Sequence, residues 1–270
     1  MRYSVFEAIE RISALGYEGM ELMADVPHAW PAAMTERQCD EIRRHLGNQG
    51  LALSNVNAFM MNAVQDFWHP SWIEPDLDFR RRRVLHTRDA LRMARRLGAQ
   101  CITTEPGGPL DQDVSRGTAL DRFVEGLNEV LPVAQEEGVS LLVEPEPGLL
   151  IENSGQFLDL AGRIDSPAFG LNFDIGHFYC VGESLPDSIR KLAPWIRHFH
   201  VEDIAAGRVH EHLIPGRGAI EFAEVFAAIR AMEYTGWITL ELYPYLDDPD
   251  GAGREARRFL EPFLSPCVSR

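Results

Sequence analysis

"FGLNFDIGHF", residues 169–178, has the composition of a buried strand until it ends on a carboxylate, Asp174, with an imidazole, His177, three residues later. In isolation the pair reads as a helix cap, because short polar side chains at such junctions accept from orphan backbone N–H groups. The other reading is that the end of a buried strand presents chemistry. The rest of the chain decides between them.

Outward from this stretch, short apolar runs alternate with longer segments of helical period. The candidate strands are "YEGMELM" (17–23), "LALSNVN" (51–57), "QCITTE" (100–105), "VSLLVE" (139–144), "FGLNFD" (169–174), "RHFHVE" (197–202) and "WITLEL" (237–242). Helical patterns fill 35–48, 78–97, 118–137 and 219–232, with capping-box pairs at Thr35/Gln38 and Thr118/Asp121. Such alternation predicts a parallel sheet covered by helices, and at 270 residues the (β/α)8 barrel leads. The rival, a doubly wound sheet, normally advertises a Gly-rich turn after its first strand. No GxGxxG or GxxxxGK[ST] occurs, and "PGRG" (215–218) is too short for a phosphate cradle. No linker divides the chain, so residues 1–270 are expected to form one domain.

Seven strands are legible where the barrel needs eight. "SVFE" (4–7) reads as a capping box that starts the first helix almost at Met1, so the barrel is expected to lack its first strand or to have it encoded upstream.

Composition narrows the function. A net charge of −15 and a pI near 5.0 argue against a surface that tracks a phosphate backbone, so no nucleic-acid partner is expected. The run Arg80–Arg83 is read as the solvated face of a helix. No apolar run approaches the ~18 residues that cross a bilayer, and the N-terminus lacks a signal-peptide pattern; a cytoplasmic protein without a membrane partner is expected. Cysteines 39, 101, 180 and 267 form no CxxC pair and are expected to be reduced and mostly buried.

In a barrel the functional groups project from the C-terminal ends of the strands. The last four runs end on Glu144, Asp174, His200 and Glu241, successively 30, 26 and 41 residues apart, one βα unit each. All four are therefore expected at one mouth. Three carboxylates and an imidazole form a hard, oxygen-rich set that suits one divalent ion, Mn²⁺ or Mg²⁺ first, with Co²⁺ or Zn²⁺ tolerated. Without a cation, so many like charges in a partly desolvated cleft repel one another and force protonation.

These residues carry a resemblance. From "ALGYEGMEL" (14–22) through "LLVEP" (141–145), "FDIGHF" (173–178), "HFHVED" (198–203), "HLIPGRGAIEF" (212–222) and "GWITLELY" (236–243), the chain resembles the xylose isomerase-like superfamily of TIM barrels. Within it, the chain resembles in particular the sugar phosphate isomerase/epimerase branch that includes the ketose 3-epimerases. The resemblance implies metal ligands at Glu144, Asp174, His200 and Glu241, a substrate-hydroxyl contact at His177 and a substrate-binding arginine at Arg208. It implies a small polyhydroxy carbonyl substrate, a sugar or cyclitol, and a homodimer or tetramer.

The implied chemistry is proton transfer beside a carbonyl through an enediolate, with Glu144 and Glu241 as acid and base on opposite faces. Return of the proton to the same carbon is epimerisation, transfer along the enediol is isomerisation, and loss of a β-hydroxyl is dehydration. A metal-dependent lyase acting on an inosose, a dehydroshikimate-like ring or a keto-glycoside therefore stays open beside the isomerase or epimerase. A catalytically inert barrel that binds a sugar or a protein is the third class; the intact four-residue set argues against it.

Among the remaining polar residues, Glu146 and Glu152 are expected to be solvated, and His198 to be a buried barrel residue one layer below His200. The loop "NAVQDFWHPSW" (62–72) carries Phe67, Trp68, His69 and Trp72, which either cover the mouth, with Trp68 stacking on a sugar, or anchor the loop in the helix ring.

Overall fold

The computed structural model describes residues 2–264. Seven parallel strands lie in sequence order: β1 (Gly19–Met23), β2 (Ala52–Asn57), β3 (Cys101–Thr104), β4 (Ser140–Val143), β5 (Phe169–Asp174), β6 (Ile196–Val201) and β7 (Ile238–Leu240). Helices α1 (Val5–Ala14), α2 (Glu36–Asn48), α3 (Leu77–Leu97), α4 (Arg116–Glu137), α5 (Ser154–Ala161), α6 (Ile175–Cys180), α7 (Leu185–Leu192), α8 (Phe222–Ala231) and α9 (Pro249–Leu264) alternate with them. This is the parallel α/β barrel that the sequence predicts, open between β1 and β7, which end the sheet.

Among the described residues a helix, not a strand, precedes β1, and the start of that helix is locally determined. Ser4 caps α1 by accepting from Glu7 N, and the Glu7 side chain accepts from Ser4 N at 2.8 Å, so the chain is committed to helix from Val5. No strand precedes α1 among the described residues. The gap is a cavity of about 620 Å³ lined by Tyr17, Met20, Glu21, Trp237, Leu240 and Arg257 among others. Side chains span it: Arg11 forks onto Asp250 at 3.0 and 2.7 Å, Tyr17 Oη donates to Gly253 O at 2.7 Å, and Arg2 Nη1 donates to Leu246 O and Asp247 O at 2.8 Å.

Two expectations about helices change. The cap of α4 is Ser115, whose hydroxyl accepts from Thr118 N, rather than Thr118 with Asp121. The arginine run is not a uniformly solvated face: Arg80 is buried and Arg83 fully so. Arg83 donates to Pro70 O and Ala58 O at 2.9 Å and lies 3.9 Å from the buried Glu105, tying the loop after β2 to the wall. Cys39 and Cys101 are buried free thiols and Cys180 is half-buried; Cys267 lies outside the described residues. No helix among the described residues is long and apolar enough to cross a membrane.

Candidate metal centre and active site

Sheet register brings the strand ends together. Asp174 closes β5 opposite His200 of β6, and His200 pairs with Thr239 of β7, two residues before Glu241. Glu144 directly follows β4. His200 Nδ1 lies 2.8 Å from Glu144 Oε1, 3.4 Å from Glu241 Oε2 and 4.0 Å from Asp174 Oδ2. One ligand atom from each of the four residues falls within 4.8 Å of the others.

The electrostatics are those of a cage short of positive charge. Burial, outweighing the nearby imidazole, pushes the Glu144 carboxyl up to about 8. Burial also opposes ionisation of Asp174, but His177, His212 and His200 overcome it and hold that carboxyl at about 2. For Glu241, burial is likewise outweighed by its contact with His200, which lowers it. His200 itself, despite a desolvation cost, is raised well above the usual histidine range by Glu21 and Glu144. With only protein groups present, one imidazolium balances several carboxylates. Asp174 Oδ1 accepts from His177 N at 2.7 Å while its buried Oδ2 has no hydrogen-bond partner. An unpaired carboxylate oxygen aimed into an oxygen-rich, convergent set fits a divalent cation.

Glu21 was missed by sequence reasoning. Its carboxylate accepts from Asn55 at 3.0 Å and Asn57 at 2.9 Å and lies 2.8 Å from His200 Nε2. A carboxylate inside the apolar strand "GMELM" was the available signal. Glu21 fixes the ring so that Nδ1 faces the cage, the outer-sphere arrangement common to metal-bound histidines. His198 is fully buried one layer below, as expected, with Nε2 2.9 Å from Thr239 Oγ1, but its Nδ1 is left without a hydrogen-bond partner.

Glu146 corrects an expectation: it is buried rather than solvated, and burial followed by repulsion from Glu144 pushes its carboxyl up to about 9. Glu202, also buried, is raised well above the carboxylate range by desolvation and by Asp174. Glu152 is half-buried and accepts from Gly148 N at 3.1 Å.

The loop after β6 is built around Asp203. Its carboxylate accepts from Ile204, Gly216, Gly218 and Ile220 N–H groups at 2.8–3.1 Å, and its backbone pairs with Leu213. "PGRG" thus cradles a carboxylate of the chain itself, and a side chain at Gly218 would strike Asp203. This staple carries His210 and His212, which sequence reasoning left outside the ligand set, to the mouth. His177 is buried beside them, its Nδ1 2.9 Å from Pro145 O.

Arg208 is not brought to the cage. It is exposed at the loop tip with φ of +57°, donating to Tyr179 O at 2.6 Å and stacked on the Tyr179 ring at 4.4 Å. Trp68 is half-buried in a cluster with Phe59 and Phe67, at centroid distances of 6.1 and 4.5 Å, while Trp72 is a core anchor whose indole donates to Thr104 Oγ1 at 2.9 Å. The aromatic loop therefore has an anchored end and a more open end.

Polar side chains gathered at the C-terminal ends of parallel barrel strands occupy the face where barrels of this class carry their functional sites. The family model described as xylose isomerase-like TIM barrel matches residues 9–263, and the chain belongs to that family. An inosose dehydratase of Bacillus thuringiensis (strain Al Hakam) is 28% identical over 158 residues, 52% of this chain and 53% of that protein. The match thus spans about half the length of the curated relatives. A D-psicose 3-epimerase from Clostridium cellulolyticum H10, solved with D-tagatose, superposes with a TM-score of 0.79 at 19% identity, covering 97% of this chain and 94% of the other. The IOLI protein, solved with a bound zinc atom, gives 0.80 at 16% identity, covering 100% and 96%.

Proposed function

We propose that this chain, a single domain over residues 1–270, is a divalent-metal-dependent carbohydrate isomerase or epimerase that transfers a proton beside the carbonyl of a small polyhydroxy ketone. The observation that carries the reading is the placement of Glu144 and Glu241, from β4 and from the end of β7, at 2.8 and 3.4 Å from the same His200 nitrogen. Glu144, Asp174, His200 and Glu241 would hold the ion, Mn²⁺ or Mg²⁺ by the hardness of the set. When bound, it supplies Lewis acidity that makes the C–H beside the carbonyl removable as an enediolate forms. Glu144 and Glu241 then take the proton from one face and return it on the other. His177 orients a substrate hydroxyl at the same mouth, and the Phe59–Phe67–Trp68 cluster limits water. Arg208 would reach substrate only by leaving Tyr179, so its contact belongs to a rearranged loop.

Dehydration is the second reading, supported by the inosose dehydratase relatives and by Glu146. A buried carboxyl held near 9 is a neutral acid at pH 7 and can protonate a departing β-hydroxyl. The two readings share the first proton abstraction. Incubation with ketoses and inososes in D₂O with Mn²⁺ is expected to give deuterium at the carbon beside the carbonyl, with product structure separating epimer from dehydrated ring. Glu241→Gln should lower exchange by at least ~10²-fold; exchange at the wild-type rate would exclude Glu241 as the acid/base.

A further inference from the structure

We propose that the mouth takes a cationic substrate, an amino-substituted polyhydroxy ketone whose ammonium group is held by Glu146. This rests on the isomerase or epimerase reading above, and it gives Glu146 a binding role in place of the acid role that dehydration would assign it.

Charge is spread unevenly over the barrel. The segments that lead from strand ends to the following helices, residues 24–35, 58–76, 105–115, 144–153, 202–221 and 241–248, hold seventeen Asp and Glu against two Arg, although the chain has 26 Lys and Arg in all. Both arginines are engaged, Arg208 with Tyr179 O and Arg217 in a fork on Glu255 at 2.6 and 2.7 Å. Backbone N–H groups and helix N-termini around such a mouth are where barrels ordinarily take an anion. Here the chain's own carboxylates occupy many of them. Glu105 accepts from Trp72 N and Gly107 N at 2.8 and 2.6 Å, and Asp25 from Val26 N and Asn62 N at 2.8 Å. Asp203 fills the turn at Gly216 and Gly218, while Asp76 and Asp174 cap α3 and α6. A phosphate or carboxylate arriving from solution meets carboxylates at those places, and a cleft lined by one sign of charge focuses its field on whatever enters.

Glu146 stands apart from that set. It is 5% exposed, follows Glu144 by two residues, and is repelled by Glu144, Glu241 and Asp174 of the cage. Its backbone is fixed, since Glu146 N donates to Ile151 O at 3.0 Å and Glu146 O accepts from Leu149 N at 3.2 Å. Among the described residues no hydrogen bond reaches its side chain, and the one nitrogen of a basic side chain within 4.0 Å is His210 Nδ1, at 3.7 Å. Desolvation of the other buried loop carboxylates is offset by the N–H groups they accept from; that of Glu146 is not. An ammonium supplies what is lacking there, a positive charge with three N–H donors. A hydroxyl at the same place offers one neutral donor and is the weaker partner. Because Glu146 lies beside the cage rather than in it, the amino group would be held next to the carbonyl end of the substrate without displacing a ligand of the ion.

The test is calorimetry on the Mn²⁺-loaded protein with polyols that cannot turn over: glucitol, its amino analogues glucamine and 2-amino-2-deoxyglucitol, and glucitol 6-phosphate. At low salt the better amine is expected to bind at least ~10-fold more tightly than glucitol, by a margin that narrows as added salt screens it. Glucitol 6-phosphate is expected to bind less tightly than glucitol. Glu146→Gln should bring the ratio of amine to glucitol affinity close to one. Glucitol binding without preference for either amine would overturn the proposal and leave the isomerase or epimerase reading standing, as would a preference that survives in folded Glu146→Gln or a phosphate that binds more tightly than the amines. Protein that binds none of the four polyols would overturn both.

Discussion

At the scale of single residues, Glu21 shows how a side chain outside the ligand set governs one inside it. Its carboxylate is held well below its ordinary range because, although burial opposes ionisation, His200 and His198 outweigh it. Glu21→Gln keeps the shape but can present an amide N–H to His200 Nε2, which favours the ring tautomer with its hydrogen on the cage side. Metal affinity of the carboxylate cage is expected to fall by about 10- to 100-fold, as for other outer-sphere partners; an unchanged Kd for Mn²⁺ by calorimetry would contradict this role. The cage itself was legible because strand ends are marked in sequence by the last polar residue of an apolar run. Glu21 was not, since it lies inside its strand, and only the fold shows that β1 faces His200 across the barrel. Glu146 escaped for a related reason: prolines on both sides announce a loop, and a loop can still fold inward over a mouth.

At the scale of elements, strand and helix positions agree with the sequence to within a few residues because both periods are clean. What sequence missed are contacts between elements. The Arg80–Arg83 run has the pattern of a solvated helix face, but α3 turns Arg83 inward to hold carbonyls of the loop after β2. The Asp203 staple is equally non-local, since it joins residues up to seventeen apart. In α3, His86 is buried, its ring tilted against Trp30 at a centroid distance of 4.7 Å, and burial followed by Arg83 keeps its pKa well below 6.5. A ring neutral in the fold but free to take a proton when unfolded contributes stability above about pH 6.5 and loses it as the pH falls toward the depressed folded value. In chelator, the slope from this one group is about 1.4 kcal/mol per pH unit within that window. His86→Leu should flatten the acid limb of urea-unfolding stability between pH 6.5 and 5 relative to wild type; parallel limbs would show that the ring does not titrate there.

At the scale of the whole molecule, a cation that binds only the folded cage stabilises the barrel by mass action. At one hundred times its Kd, the gain is about 2.7 kcal/mol, or roughly 5–10 °C in Tm for a domain of this size. Scanning calorimetry with Mn²⁺ and with chelator checks this, and coincident Tm values would count against a native metal site. The barrel architecture was legible from the count and spacing of the runs, and its opening from the capping box at Ser4. How the gap is bridged was not, because Arg11 and Asp250, or Tyr17 and Gly253, meet only once the ends of the chain are folded together. A barrel closed by backbone hydrogen bonds behaves as a hoop and resists being pulled out of round. Over the described residues this one is a split ring whose two jaws, β1 with Glu21 and β7 leading into Glu241, are joined by a side-chain clasp. The span between those carboxylates thus depends on one ion pair and a few hydrogen bonds near the surface. Loosening the clasp widens the grip on whatever lies between the jaws without touching the residues that grip it.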